Sequence, residues 1–203
     1  KGAALPAPAP GAAAGARHRR MAMVAIGAST GGPAALADIL GALPAKLQAP
    51  VVIVQHVDAQ FAGGLVDWLQ AHSRMPTRLA IEGVAPEPGT VYVAGTNDHL
   101  VIDPGRRFRI TPEPLDYPYR PSADVFFNSL CRNWPLGGAA VLLTGMGRDG
   151  AAGLLNLRRA GWRTIAQDKA TSVIFGMPKA AADLGAAEQI LPLDKIAAAI
   201  LAG

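Results

Sequence analysis

The feature that most constrains this chain is a recurring pattern: a short apolar run, a turn rich in glycine or polar residues, then a helical stretch. Residues 21–26 are apolar and lead through Gly27-Ala28-Ser29-Thr30-Gly31-Gly32-Pro33 into a helical stretch ending near 43, with Pro33 suited to a first helical turn. Residues 51–55 form a β-branched run that ends at His56, and a helix is predicted over 61–72. Residues 139–144 lead through Gly145-Met146-Gly147-Arg148-Asp149 into a helix over 150–160. A strand over 164–167, a helix over 178–184, a short strand at Ile190 and a last helix over 193–201 close the series. Between these units lie a strand at 90–94, a hairpin joining 99–103 to 108–111 around Pro104-Gly105, and a helix over 122–131 with Ser122 as N-cap. Strands alternating with helices predict the α/β class: a mostly parallel sheet with helices on both faces. Parallel strands all end on one side, and ligands bind outside those ends. Ser29, His56, Asp149 and Asp168 all fall there.

Composition narrows the function classes. The chain has 203 residues, half of them hydrophobic and 17% charged, which fits one globular domain with a sizeable core. The net charge is +4, but Lys1, Arg17, Arg19 and Arg20 lie in the first twenty residues with no acid among them, so the rest of the chain is formally neutral. With no basic stripe on the folded part, nucleic acid is not an expected partner. Residues 1–20, with three prolines and no apolar period, read as a flexible Ala/Pro linker ahead of a domain over 21–203. The single cysteine, Cys131, precludes an intramolecular disulfide, and no Cys/His set has zinc spacing, so neither metal nor cofactor is expected. No apolar run has membrane-spanning length, and the arginines follow the Ala/Pro stretch, the reverse of a signal peptide. A cytoplasmic protein without membrane insertion is expected.

Gly27-Ala28-Ser29-Thr30-Gly31 matches G-x-S-x-G between a strand and a helix. A serine on such a turn projects its hydroxyl into the cleft, with helix N–H groups beside it for a developing oxyanion. Alone, the motif serves equally as an anion cradle, although the glycine spacing of dinucleotide sites and the G-K-[ST] ending of a P-loop are absent. His56, at a strand end, is the candidate general base, with His99 as its rival; His18 lies in the linker and His72 late on a helix. Asp149 is placed to orient an imidazole or to cap the next helix, and Asp168 is the competing carboxylate. The order Ser, His, Asp differs from the Ser, Asp, His of ordinary α/β-hydrolases.

Taken together, the motifs are specific. Val24-Ala25-Ile26-Gly27-Ala28-Ser29-Thr30-Gly31-Gly32-Pro33, Val54-Gln55-His56, Arg120-Pro121-Ser122-Ala123-Asp124, Leu142-Leu143-Thr144-Gly145-Met146-Gly147-Arg148-Asp149-Gly150, Ile165-Ala166-Gln167-Asp168 and Gly176-Met177-Pro178 resemble, in this order, the catalytic domain of CheB-type protein-glutamate methylesterases. The resemblance runs from Ala22 to the C-terminus. It implies a doubly wound sheet with a small antiparallel portion. It also implies hydrolysis of glutamate γ-methyl esters on chemoreceptor cytoplasmic helices with release of methanol, and deamidation of glutamines. By motif, Ser29 is implied as nucleophile, His56 as base and Asp149 as orienting acid; Thr30 and Met146 are active-site neighbours, the Met146 amide serving the oxyanion.

The resemblance further implies an N-terminal receiver domain. A chain starting on Lys1 rather than Met is expected to be a piece cut within the linker behind it. Two segments depart from the family pattern. Val57-Asp58-Ala59-Gln60-Phe61-Ala62 stands where many members read Met-Pro-Ala-Gly-Phe-Thr, and Ala94-Gly95-Thr96-Asn97-Asp98-His99 lacks a proline common there. The first resembles methylesterases of surface-sensing chemosensory clusters. The competing readings are a phosphate- or nucleotide-binding module and a catalytically silent domain that docks on receptors.

Overall fold

The computed structural model describes residues 23–202. The linker expected over 1–20 lies outside the described residues. The strands are β1 (Val24–Ala28), β2 (Val51–Gln55), β3 (Thr77–Leu79), β4 (Val91–Val93), β5 (His99–Ile102), β6 (Phe108–Thr111), β7 (Ala139–Leu142), β8 (Arg163–Gln167) and β9 (Gln189–Leu191). The helices are α1 (Gly32–Ala42), α2 (Ala59–His72), α3 (Ala123–Asn133), α4 (Ala151–Arg159), α5 (Met177–Asp183) and α6 (Leu193–Leu201).

Seven strands form one sheet in the order β3-β4-β2-β1-β7-β8-β9, and every pairing in it is parallel. The apolar runs of β1, β2 and β7 are buried along their whole length, as strands covered on both faces must be. One apolar layer joins the sheet to α1, α2 and α6 through residues such as Leu36, Leu40, Leu69 and Ile196. The other joins it to α3, α4 and α5 through Phe126, Phe127, Leu154 and Met177. The β5–β6 hairpin is antiparallel and packs on this second layer through Leu100, Ile102 and Phe108.

The predicted class and most elements hold, with shifted ends that matter for function. β1 continues two residues past Ile26 because Gly27 and Ala28 pair with Val54 and Gln55, so the strand stops immediately before Ser29. α2 starts at Ala59, two residues earlier than predicted, because the Asp58 side chain accepts the Gln60 amide as its N-cap. β3, three residues on the sheet edge, is the strand the sequence pattern does not announce.

The chain leaves β1 toward β2 on one side and returns with β7 on the other, so the strand order reverses at β1. Crevices of this kind open at the carboxyl ends of the strands around the reversal.

Candidate active site

Ser29 stands at that crevice. Its amide donates to the Thr144 carbonyl at 3.0 Å, tying the turn after β1 to the loop after β7. Its carbonyl accepts the Gly32 amide at 2.7 Å and the buried Gln55 side chain at 2.9 Å. Two glycines make the turn possible. Gly31 has φ 80°, a left-handed conformation at the N-cap of α1, and a Cβ there would lie 2.6 Å from Val173 Cβ. At Gly145 a Cβ would run into the Cβ of Ser29, so the β7 loop closes against the serine only because no side chain intervenes.

His56 reaches the same place by register. β1 and β2 pair Ala28 with Gln55, and the His56 amide donates to the Ala28 carbonyl at 3.0 Å. Ser29 and His56 thus leave adjacent parallel strands about 4.8 Å apart. Gln55 fixes both, donating to the carbonyls of Ser29 and, at 3.1 Å, His56. The His56 Nε2 lies 2.7 Å from Asp149 Oδ2, while its buried Nδ1 has no hydrogen-bond partner among the described residues. With Nε2–H donated to the carboxylate, the Nδ1 lone pair remains to take a proton. The other face of the ring stacks on Tyr119, centroids 4.4 Å apart and 8° from parallel.

Asp149 is 4% exposed and accepts four hydrogen bonds. Oδ2 takes His56 Nε2 and, at 2.7 Å, the Ala123 amide; Oδ1 takes the Ser122 hydroxyl at 2.6 Å and the Asp124 amide at 3.1 Å. Burial pushes its pKa up, but the bonds from His56, Ser122 and the Asp124 amide outweigh this and hold it below the usual carboxylate value. Asp149 does not cap the helix that follows it, whose N-cap is Gly150 without a side-chain bond. Its carboxylate instead receives amides of the first turn of α3. Asp124 returns the favour: its Oδ1 accepts the Gly153 amide in the first turn of α4 at 2.6 Å. Two helix N-termini thus exchange carboxylates, each favourable to the other's dipole.

Burial raises the Asp124 pKa from 3.8 to about 6, aided by the neighbouring Asp149 charge and opposed by amides of α4. The folded protein therefore holds a proton that the unfolded chain releases. This contribution to stability is complete below about 3.8 and is lost as pH rises through about 6. Asp124→Asn is expected to remove this dependence. In urea titrations, the midpoint of the variant should gain on that of the wild type as pH rises from 4 to 6. Parallel midpoints over that range would contradict the assignment.

The structure brings Ser29, His56 and Asp149 to one strand edge, with Thr30 exposed on the serine turn and Met146 exposed on the β7 loop. The Ser29 hydroxyl is not bonded to His56 here, and the Thr30 and Met146 amides donate to no acceptor among the described residues. The rivals lie elsewhere. Asp168 Oδ1 accepts the Thr171 amide and hydroxyl within its own turn. His99 is fully buried and bonds Ser122 and Pro114 rather than lining the cleft. His72 Nδ1 bonds the Trp68 carbonyl one helical turn back. Sequence reasoning assigned no role to Gln55, Tyr119 or Asp124 and gave Ser122 only a capping role. Gln55 adjoins the histidine, and the other three fall in or beside the segment 120–124.

A serine on a strand-to-helix turn, beside a histidine bonded to a buried carboxylate, is the side-chain set of serine hydrolases. Residues 24–200 match the family model described as CheB methylesterase, and the chain belongs to that family. It is 58% identical over 94% of its length to protein-glutamate methylesterase/protein-glutamine glutaminase 2 of Cupriavidus metallidurans. It is 56% identical over 99% of its length to the like-named protein of Burkholderia orbicola. The chain spans 56% and 61% of the lengths of these two relatives. The crystal structure of the Thermotoga maritima CheB methylesterase catalytic domain superposes with a TM-score of 0.85 at 34% identity, covering 89% of this chain and 97% of that one.

Proposed function

We propose that this domain hydrolyses γ-methyl esters of glutamate side chains on chemoreceptor cytoplasmic helices, with Ser29 as nucleophile, His56 as base and Asp149 as the group that orients and charges against the imidazole. The observation that carries the reading is the His56 ring: Nε2 is held by a buried anion, Nδ1 is left unpaired among the described residues, and His56 and Ser29 leave adjacent parallel strands. Ser29 Oγ attacks the ester carbonyl carbon as its proton passes to His56 Nδ1. The tetrahedral oxyanion takes hydrogen bonds from the Thr30 and Met146 amides. Collapse breaks the bond to the methoxy oxygen, which leaves as methanol with the proton from Nδ1. Water, deprotonated by His56, then attacks the acyl-Ser29 carbonyl and releases the glutamate and the free serine. The same steps on a glutamine side chain release ammonia, which is deamidation. No cofactor or metal enters the sequence.

The names of the two relatives, methylesterase and glutaminase, support both substrates. No helix among the described residues is long and apolar enough to cross a membrane, which fits a cytoplasmic enzyme meeting receptor helices below the bilayer. The test is covalent capture. A fluorophosphonate probe should label Ser29 of the folded protein, and methylated receptor membranes should release methanol in its presence. Folded protein without a Ser29 adduct and without methanol release would remove the reading.

We further propose that residues 1–20 tether a receiver domain that covers the strand-end crevice until it is phosphorylated. The present chain should then hydrolyse methylated receptors faster than the unphosphorylated full-length protein. Equal rates would sink this masking idea and leave the chemistry standing.

A further inference from the structure

The segment between Pro114 and Ser122 supplies two parts of the site. Its Tyr119 ring covers His56, and at its end Ser122 donates its hydroxyl to Asp149. Both ends of this segment are bonded to one side chain. His99, the first residue of β5, is fully buried; its Nδ1 lies 3.2 Å from the Ser122 amide and its Nε2 lies 3.2 Å from the Pro114 carbonyl. The ring also meets Tyr117 of the same segment edge-on, centroids 6.0 Å apart.

The two partners determine the form of the ring. The Ser122 amide can only donate, so Nδ1 must present a lone pair. The Pro114 carbonyl can only accept, so Nε2 must carry the proton. A neutral imidazole in this single tautomer satisfies both ends, whereas a lysine, which only donates, satisfies at most one and the Nδ1–H tautomer neither.

We propose that His99 is a positioning residue for the triad: it clips the two ends of the 114–122 segment and thereby sets the Ser122 hydroxyl on Asp149 and the Tyr119 ring on His56. The proposal rests on the reading of Ser29, His56 and Asp149 as the triad. Loss of the clip frees Ser122 from above, lets the Asp149 carboxylate turn, and uncovers the imidazole face. Misplacements of about 1 Å at a reacting group cost on the order of a hundredfold in rate.

The test uses the whole chain and three readouts. In histidine-selective 15N NMR at about pH 8, above the ordinary histidine range, His99 is expected as the Nε2–H tautomer with unprotonated Nδ1. H99F keeps a ring but removes both bonds. It should lower kcat for methanol release about a hundredfold, with a far smaller change in KM, and should weaken the downfield proton signal of the His56–Asp149 hydrogen bond. H99N, whose amide oxygen can stand in for Nδ1 toward Ser122, should restore much of both. An Nδ1–H tautomer at His99 overturns the proposal, as does H99F with wild-type kcat and an unchanged His56 signal. If H99F does not fold, the wild-type tautomer and H99N decide: H99N as poor as a His56 variant despite a native fold also overturns it. A wild type that carries the expected His99 tautomer but takes no label at Ser29 refutes the esterase reading and leaves the clip intact.

Discussion

Asp149→Asn is expected to lower kcat by about four orders of magnitude, the scale seen when a triad carboxylate is replaced by its amide. The reason lies in the donor count around the carboxylate. Both oxygens are used as acceptors only: Oδ1 by the Ser122 hydroxyl and the Asp124 amide, Oδ2 by His56 Nε2–H and the Ala123 amide. An asparagine must point its NH2 at one of these pairs. Either way it meets a backbone N–H that cannot accept: that of Asp124 beside Ser122, or that of Ala123 beside His56. Beside His56 it can still donate to the ring, but only if the imidazole moves its Nε2 proton to Nδ1. The ring then presents N–H, not a lone pair, to Ser29, and general-base catalysis stops. The amide also cannot stabilise an imidazolium. Imidazole 15N NMR of the variant should show the exchanged tautomer at His56 alongside the loss of kcat. Asp168→Asn should cost far less, since among the described residues the Asp168 carboxylate bonds Thr171 within its own turn. A variant Asp149→Asn with turnover within tenfold of wild type would mean that another carboxylate orients His56.

What the sequence disclosed follows from how local each signal is. The buried strands announce themselves as unbroken apolar runs, and β2 is legible to its last residue because the apolar run ends abruptly at Gln55 and His56. The placement of Ser29, His56 and Asp149 at one edge is legible from topology, because parallel strands put their ends together, but topology puts Asp168 there as well and only the family resemblance separates them. β3 escaped because Thr77, Arg78 and Leu79 are too few to show a period, and their strand conformation is imposed by pairing with β4. The exchange of carboxylates between α3 and α4 was equally hidden. Asp124 and Asp149 each sit near a helix start, where capping by sequence neighbours is the natural reading. Only the packing of one helix end against the other turns each toward its neighbour. The two departures from the family pattern looked independent in sequence. In the fold they touch: Asn97 Oδ1 accepts the Ala59 amide at 2.9 Å, and Asn97 Nδ2 donates to Asp58 Oδ2 at 3.4 Å.

Ser29→Ala is expected to fold normally and to lose at least about three orders of magnitude in ester hydrolysis. Folding survives because the hydroxyl makes no hydrogen bond to His56, while the backbone bonds of Ser29 to Thr144, Gly32 and Gln55 do not need it. The alanine also keeps the Cβ against which Gly145 packs, so the two loops stay closed. Activity does not survive, because alanine offers no oxygen to the ester carbonyl. What remains is binding and, on the proposed mechanism, the Thr30 and Met146 amides to polarise that carbonyl toward water. His56→Gln should be nearly as damaging by itself, since a serine hydroxyl without a base is a poor nucleophile at neutral pH. The informative measurement is the double variant. Residues that act in one proton-transfer unit are not additive, so Ser29→Ala with His56→Gln should sit close to Ser29→Ala alone. Losses that multiply would mean that His56 contributes to the reaction by a route that does not pass through Ser29, and the assignment of nucleophile and base to one unit would fall.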